Sequence, residues 1–141
     1  MSYSILIIDD SLPMRSVIKR TLKAAGYGNS ELIEAANGKE ALELMKNNWI
    51  DIVLTDYNMP VMDGLEFIKT IKKDDLSKDI PVVVISTEGN ESKIEEFMDC
   101  GAVGYITKPF TAEAIRDLIV NILGEIKYEE DFDDSDEDFD F

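Results

Sequence analysis

Short apolar runs alternate along the chain with stretches of helical periodicity, and this rhythm constrains the fold more than any other feature. The runs are Ile5–Ile8, Leu32–Ala35, Ile52–Leu54, Val82–Ile85 and Val103–Ile106. Several are continuously apolar and rich in Ile and Val, the pattern of strands buried on both faces of a parallel sheet. Between them lie amphipathic helices. In the first, Met14, Val17, Ile18 and Leu22 are expected to form the buried stripe, and Arg15, Lys19 and Lys23 an exposed one. Ser11 is placed to cap that helix, with Pro13 in its first turn. Asn37 with Glu40 and Asp63 with Glu66 are capping signals for the second and third helices. Gly101 follows the fourth, where a left-handed residue stops it. The fifth begins near Thr111 and is expected to bury Ala114, Ile115, Leu118, Ile119 and Ile122. Repeated βα units of this kind build an α/β fold whose crossovers are right-handed.

Charge sets the domain boundary. The 141 residues carry a net charge of −16, but residues 125–141 hold ten acids and one base and so account for −9 of it. Like charges packed this densely do not share a core, so the expectation is a folded domain over residues 3–126 and a disordered acidic tail over 127–141. The tail also carries Phe132, Phe139 and Phe141. A surface this negative repels nucleic-acid phosphates, which excludes a non-specific DNA or RNA binder. No stretch approaches the roughly 20 apolar residues of a membrane span, and the N-terminus lacks the basic segment of a signal peptide. Cys100 is the one cysteine, so no internal disulfide forms, and a cytoplasmic location is expected. The absence of histidine excludes His-based acid/base catalysis, His metal ligands and a phosphohistidine donor role.

In open α/β sheets the functional crevice lies beyond the carboxyl ends of the strands. Those ends carry Asp9 and Asp10 after the first run, Asp56 after the third, Ser86 after the fourth and Lys108 after the fifth. Suppose the strands are ordered 2-1-3-4-5, one of the two common doubly wound orders. The first and third are then neighbours about 4.8 Å apart, and three carboxylates crowd together. A hard divalent cation relieves that repulsion, and Mg²⁺ held by carboxylates plus water fits best, with Mn²⁺ able to substitute. The fifth strand lies about 10 Å from the third, a gap that a long side chain such as Lys108 crosses. An anchored cation, a nucleophilic carboxylate, an ammonium and a hydroxyl donor together suit a phosphoryl group transferred in line.

The segments Asp9-Asp10, Asp56-Tyr-Asn-Met-Pro-Val-Met-Asp-Gly64, Ser86-Thr-Glu88 and Gly104-Tyr-Ile-Thr-Lys-Pro-Phe110 resemble, in order and spacing, the receiver domain of two-component response regulators. The likeness covers about residues 4–123 and is strongest to the stand-alone chemotaxis type. It implies a five-stranded parallel sheet, order 2-1-3-4-5, flanked by five helices in a flavodoxin-like three-layer sandwich. It implies that Asp56 is the phosphoacceptor, receiving its phosphoryl group from a sensor histidine kinase. Mg²⁺ is then bound by Asp10, Asp56 and the Asn58 carbonyl, with Asp9 acting through water. Lys108, Ser86 and Thr87 contact the phosphate, and Tyr105 turns inward as Ser86 moves. The Lys108–Pro109 bond is cis by the same likeness, and Asn58 and Glu88 tune hydrolysis of a short-lived acyl phosphate. A target binds on the face of helix four, strand five and helix five, and a phosphatase is a further partner.

Taken singly, these residues have plainer readings: a solvated acidic turn, a strand-end serine, a surface lysine, a packing tyrosine. Their joint arrangement is what carries the functional reading. The stripe Arg15-Lys19-Lys23, with Arg20 beside it, is either a kinase-docking face or a solvated one. The acidic start of helix four, Asn90-Glu91-Ser92-Lys93, departs from the lysine-bearing segment of the chemotaxis type and does not support a flagellar-switch target. The leading expectation is a single-domain signalling switch, not an enzyme beyond its own phosphorylation and dephosphorylation. A phosphorelay intermediate and a phosphorylation-independent binder acting through the tail are the alternatives. An aspartyl phosphohydrolase is disfavoured, because Asn58 stands where such enzymes carry their general acid.

Overall fold

A computed structural model of the chain describes residues 3–86 and 91–124. The elements run β1 (Ser4–Ile8), α1 (Leu12–Leu22), β2 (Glu31–Ala35), α2 (Gly38–Asn47), β3 (Ile52–Asp56), α3 (Gly64–Lys72), β4 (Val82–Ser86), α4 (Glu91–Asp99), β5 (Gly104–Thr107) and α5 (Ala112–Leu123). The strands form one parallel sheet in the order β2-β1-β3-β4-β5. This is the flavodoxin-like three-layer sandwich, with β3 at its centre and β2 and β5 at its edges. Among the described residues no helix is long and apolar enough to cross a membrane.

Strand alternation divides the core in two. Leu6, Ile8, Val53 and Val84 face one way and pack on Ala41 of α2, Phe67, Ile68 and Ile71 of α3, and Phe97 of α4. Ile5, Ile7, Leu54, Val83 and Ile85 face the other and pack on Ile18 and Leu22 of α1 and Ile115 and Ile119 of α5. Each of the Val, Leu, Ile and Phe side chains, taken fully out of water, contributes about 1.5–3 kcal/mol before its entropy cost.

The predicted caps form. Ser11 Oγ accepts from the Met14 amide at 3.2 Å, Asn37 Oδ1 from Glu40 at 2.8 Å and Asp63 Oδ1 from Glu66 at 2.9 Å. Thr111, expected only to lie near the start of α5, caps it as well, its Oγ1 accepting from Ala114 at 3.0 Å. Gly101, at φ 112°, turns the chain out of α4. The first helix does not stop at Leu22: it widens into a π-type turn over Lys23–Tyr27, broken by Gly26 at φ 107°.

Three expectations are corrected. Val17 is 40% exposed, because the sheet-facing line of α1 runs through Met14, Ile18 and Leu22, and Val17 is turned about 100° away from Ile18. Ala114 is likewise exposed, one residue off the Ile115–Ile119 line of α5. Val103 lies outside β5 and is 46% exposed; β5 is an alternating edge strand rather than a buried apolar run. At the opposite end of the sheet from the strand termini, Trp49 precedes β3, 79% exposed, with its indole N–H donating to Asp51 Oδ1 at 2.9 Å.

Candidate functional site

The carboxyl ends of β1 and β3 bring Asp9, Asp10 and Asp56 together, each offering an oxygen within 4.8 Å of the others. Asp9 continues the β1–β2 pairing through its amide, which donates to the Ala35 carbonyl at 3.1 Å. Its side chain is therefore held inward and is nearly fully buried, while Asp10 is exposed. Asp9 Oδ1 accepts from the Ser11 amide at 2.9 Å and Oδ2 from Lys108 Nζ at 3.2 Å. Asp56 is the last residue of β3, and its Oδ1 accepts from the Tyr57 amide at 2.8 Å. Lys108 Nζ lies 3.7 Å from the same oxygen. Tyr57 and Lys108 thus both address the same Asp56 oxygen, Oδ1.

Lys108 reaches this cluster from the far edge of the sheet. Its amide donates to the Ser86 carbonyl at 2.7 Å, which extends the β4–β5 ladder by one step. The next peptide, Lys108–Pro109, is cis. Three carboxylates against one ammonium leave the cluster at a formal −2. Burial pushes the Asp56 carboxyl above the usual carboxylate range; Asp9 and Asp10 add to this, and Lys108 and the Tyr57 amide oppose it. An all-oxygen donor set, one member exposed and two anchored, matches a hard divalent cation that keeps several waters.

The connection from β3 to α3 is built for close approach. Gly64 donates its amide to the Tyr57 carbonyl at 3.0 Å, and a Cβ there would lie 2.4 Å from the Asp56 carbonyl oxygen and 2.8 Å from Phe97. Only glycine lets the start of α3 sit against the backbone of Asp56. Within this loop Val61 has φ 70°, and the Met62 amide reaches back to the Pro60 carbonyl at 2.7 Å. A β-branched residue at positive φ in such a three-residue turn is strained.

The remaining predicted residues are arranged around this centre. Asn58 is exposed, two residues past Asp56 on the same loop. Ser86 closes β4, in register with Thr107 of β5. Tyr105 does not join the cluster: it is 48% exposed on the edge strand β5. Thr87 and Glu88 lie outside the described residues, as does the tail.

Two features escaped sequence reasoning. Arg15 and Lys19, read as an exposed stripe, converge on Glu34 of β2 at 2.9 and 2.7 Å, and Arg15 also donates to the Asp9 carbonyl. Glu34 sits below its ordinary pKa, chiefly through the Lys19 hydrogen bond. The exposed cations of this helix and its continuation are thus Arg20 and Lys23. The second feature is Tyr57, whose ring meets Phe97 edge-on at 5.0 Å and lies under Lys93 Nζ at 4.8 Å, tying the residue after Asp56 to α4. The spacing of Tyr57 after a strand-end aspartate, with Phe97 one turn beyond Lys93, was the available signal. It is legible only once α3 and α4 are known to share a face.

The family profile described as the response regulator receiver domain matches residues 5–120. The chain belongs to that family. It is 36% identical over 121 residues to a chemotaxis protein CheY homolog of Campylobacter jejuni, covering 85% of this chain and 92% of that one. The crystal structure of chemotaxis protein CheY4 of Vibrio cholerae superposes with a TM-score of 0.78 at 34% identity, over 86% of this chain and 99% of that one. The receiver domain of a sensor histidine kinase of Pseudomonas aeruginosa, solved with a magnesium ion coordinated in its active-site cleft, shares the fold at a TM-score of 0.78 and 21% identity, over 89% of this chain and 100% of that one.

Proposed function

We propose that this receiver domain is a chemotaxis-type signalling switch of the cytoplasm that is phosphorylated on Asp56 by a histidine kinase. The observation that carries the reading is the convergence of Asp9, Asp10, Asp56 and Lys108 at the carboxyl ends of three strands. A carboxylate oxygen of Asp56 attacks the phosphorus of a phosphoimidazole; the O–P bond forms as the P–N bond breaks, and the leaving nitrogen keeps that electron pair, so that a ring protonated on its other nitrogen departs as neutral imidazole. Lys108 moves its positive charge from the two carboxylates to the incoming phosphoryl oxygens. Asp9, Asp10 and Asp56, with the Asn58 carbonyl, would hold Mg²⁺, which supplies charge neutralisation of the transferring group. The relatives' chemotaxis role and the magnesium found in a structural neighbour support this reading.

Ser86 and Thr87 receive the phosphate on the β4 side, and Tyr105, now outward, turns in as Ser86 moves. This shifts the population toward a form that binds a separate target across α4, β5 and α5. Asn58 and Glu88 set the lifetime of the acyl phosphate, which a partner phosphatase shortens. Intact mass after incubation with acetyl phosphate and Mg²⁺ tests the proposal. One added phosphoryl group on the native chain and none on Asp56→Asn is the expected result. Equal mass for both, with no response to beryllofluoride, overturns it.

A further inference from the structure

On the α1/α5 face, beside the acidic cluster, Met14, Val17, Pro109 and Phe110 line an open apolar groove of about 310 Å³, with Lys108 at its inner edge. Val17 is the exposed residue that the sheet leaves uncovered. Below the groove, one turn further along α1 and its continuation, Arg20 and Lys23 stand in solvent, and neither makes an ion pair among the described residues. Pro13, Val17, Arg20 and Ala24, all exposed, thus form a single stripe that is apolar at the site end and basic at the other.

The chain outside the described residues begins beside the basic end of this stripe. Helix α5 ends at Leu123–Gly124 and packs along α1 and the Lys23–Tyr27 turn. From there residues 125–141 carry a net −9 and three phenylalanines. We infer that this segment docks back on α1, with Glu129, Glu130 and Asp131 against Arg20 and Lys23, and Phe132 in the groove of Met14, Val17 and Phe110. The order along the tail, acids and then an aromatic, is the order of the complementary groups along the helix. Reach is ample: Lys23 to Met14 is about 14 Å along the helix axis, whereas residues 125–132 span up to about 26 Å when extended. The ion pairs orient the segment and the buried ring holds it. The seated tail covers the groove and sets its carboxylates beside Lys108. The dock stands on this complementarity alone and does not depend on phosphorylation.

A nitroxide on Ser135→Cys, in a full-length chain carrying Cys100→Ser, tests the dock by amide NMR without added metal. The expected result is loss of intensity at Val17, Arg20, Lys23 and Phe110 while α3 amides keep theirs. Phe132→Ala, and separately Arg20→Glu with Lys23→Glu, should each restore those intensities; unchanged α3 and β3 resonances confirm that the variants fold. Broadening that is absent, or equal on all faces, overturns the proposal. So does release only by Phe139→Ala and Phe141→Ala. Broadening seen only when spin-labelled protein is mixed with isotope-labelled, unlabelled-tail protein assigns the groove to a second copy and overturns it as well.

Discussion

β3 and β5 both deliver a charged group to the same crevice, from opposite situations. β3 is the central strand, paired on both sides, with every residue before Asp56 buried. β5 is an edge strand with one partner, and its residues alternate between buried and exposed. The Asp56 carboxylate is therefore held at the end of a buried strand paired on both sides, whereas the Lys108 ammonium arrives on a long side chain from a strand that also displays Tyr105 to solvent. Under the proposed function the difference is a division of labour: a nucleophile that has to stay where it is, and a cation that has to be able to move.

The sharpest way to break the central side is Gly64→Ala. A methyl group at that position meets the Asp56 carbonyl and Phe97, so α3 has to retreat from Asp56. The expected loss is about 3 kcal/mol in urea unfolding, together with loss of phosphorylation by acetyl phosphate. An unperturbed midpoint would show that the loop is not tightly seated. On the edge side, Lys108→Ala removes the counter-charge shared by Asp9 and Asp56. Without metal it should cost about 2 kcal/mol, and added Mg²⁺ should recover more stability in the variant than in the native chain. Equal Mg²⁺ responses would separate the lysine from the cation's charge balance.

Val61→Gly sharpens the comparison from within the β3 loop. Relief of the positive-φ strain outweighs glycine's added unfolded-state entropy, for a gain of roughly 1 kcal/mol by thermal melting. A loss instead would mean that Val61 contributes packing that its 73% exposure does not suggest. The smallest effect belongs to the other edge. Glu34→Gln on β2 releases Arg15 and Lys19 and should cost less than about 1 kcal/mol at neutral pH. Because the Glu34 pKa is lowered in the folded chain, its contribution is complete above the ordinary value of 4.5 and fades as pH falls through the lower folded value. The two proteins should therefore converge in stability in acid; a gap that persists there would assign the effect to packing.

Legibility in the sequence followed the same division. Strands buried on both faces announce themselves as continuous Ile and Val, so β1, β3 and β4, and with them Asp9, Asp10 and Asp56, could be placed from the chain alone. The caps were legible because capping is local chemistry within four residues. Edge strands were harder: Val103 was read into β5 because apolarity there serves the surface rather than the core. The pairing of Arg15 and Lys19 with Glu34 was hidden because it joins an exposed helix stripe to an edge strand whose neighbour relation is set by topology. The strand order itself came with the family likeness, since periodicity does not distinguish one parallel arrangement from another.

Trp49 has a practical consequence. The chain contains one tryptophan, exposed at the amino end of β3 and bonded to Asp51 on its own loop. Its emission should report a water-bathed indole and stay silent when Asp56 is modified at the other end of the strand. Tyr57 is the chromophore placed to notice, with its amide on the Asp56 carboxylate and its ring against Phe97 and Lys93. Difference absorbance in the tyrosine band, rather than intrinsic fluorescence, is the optical handle this protein carries.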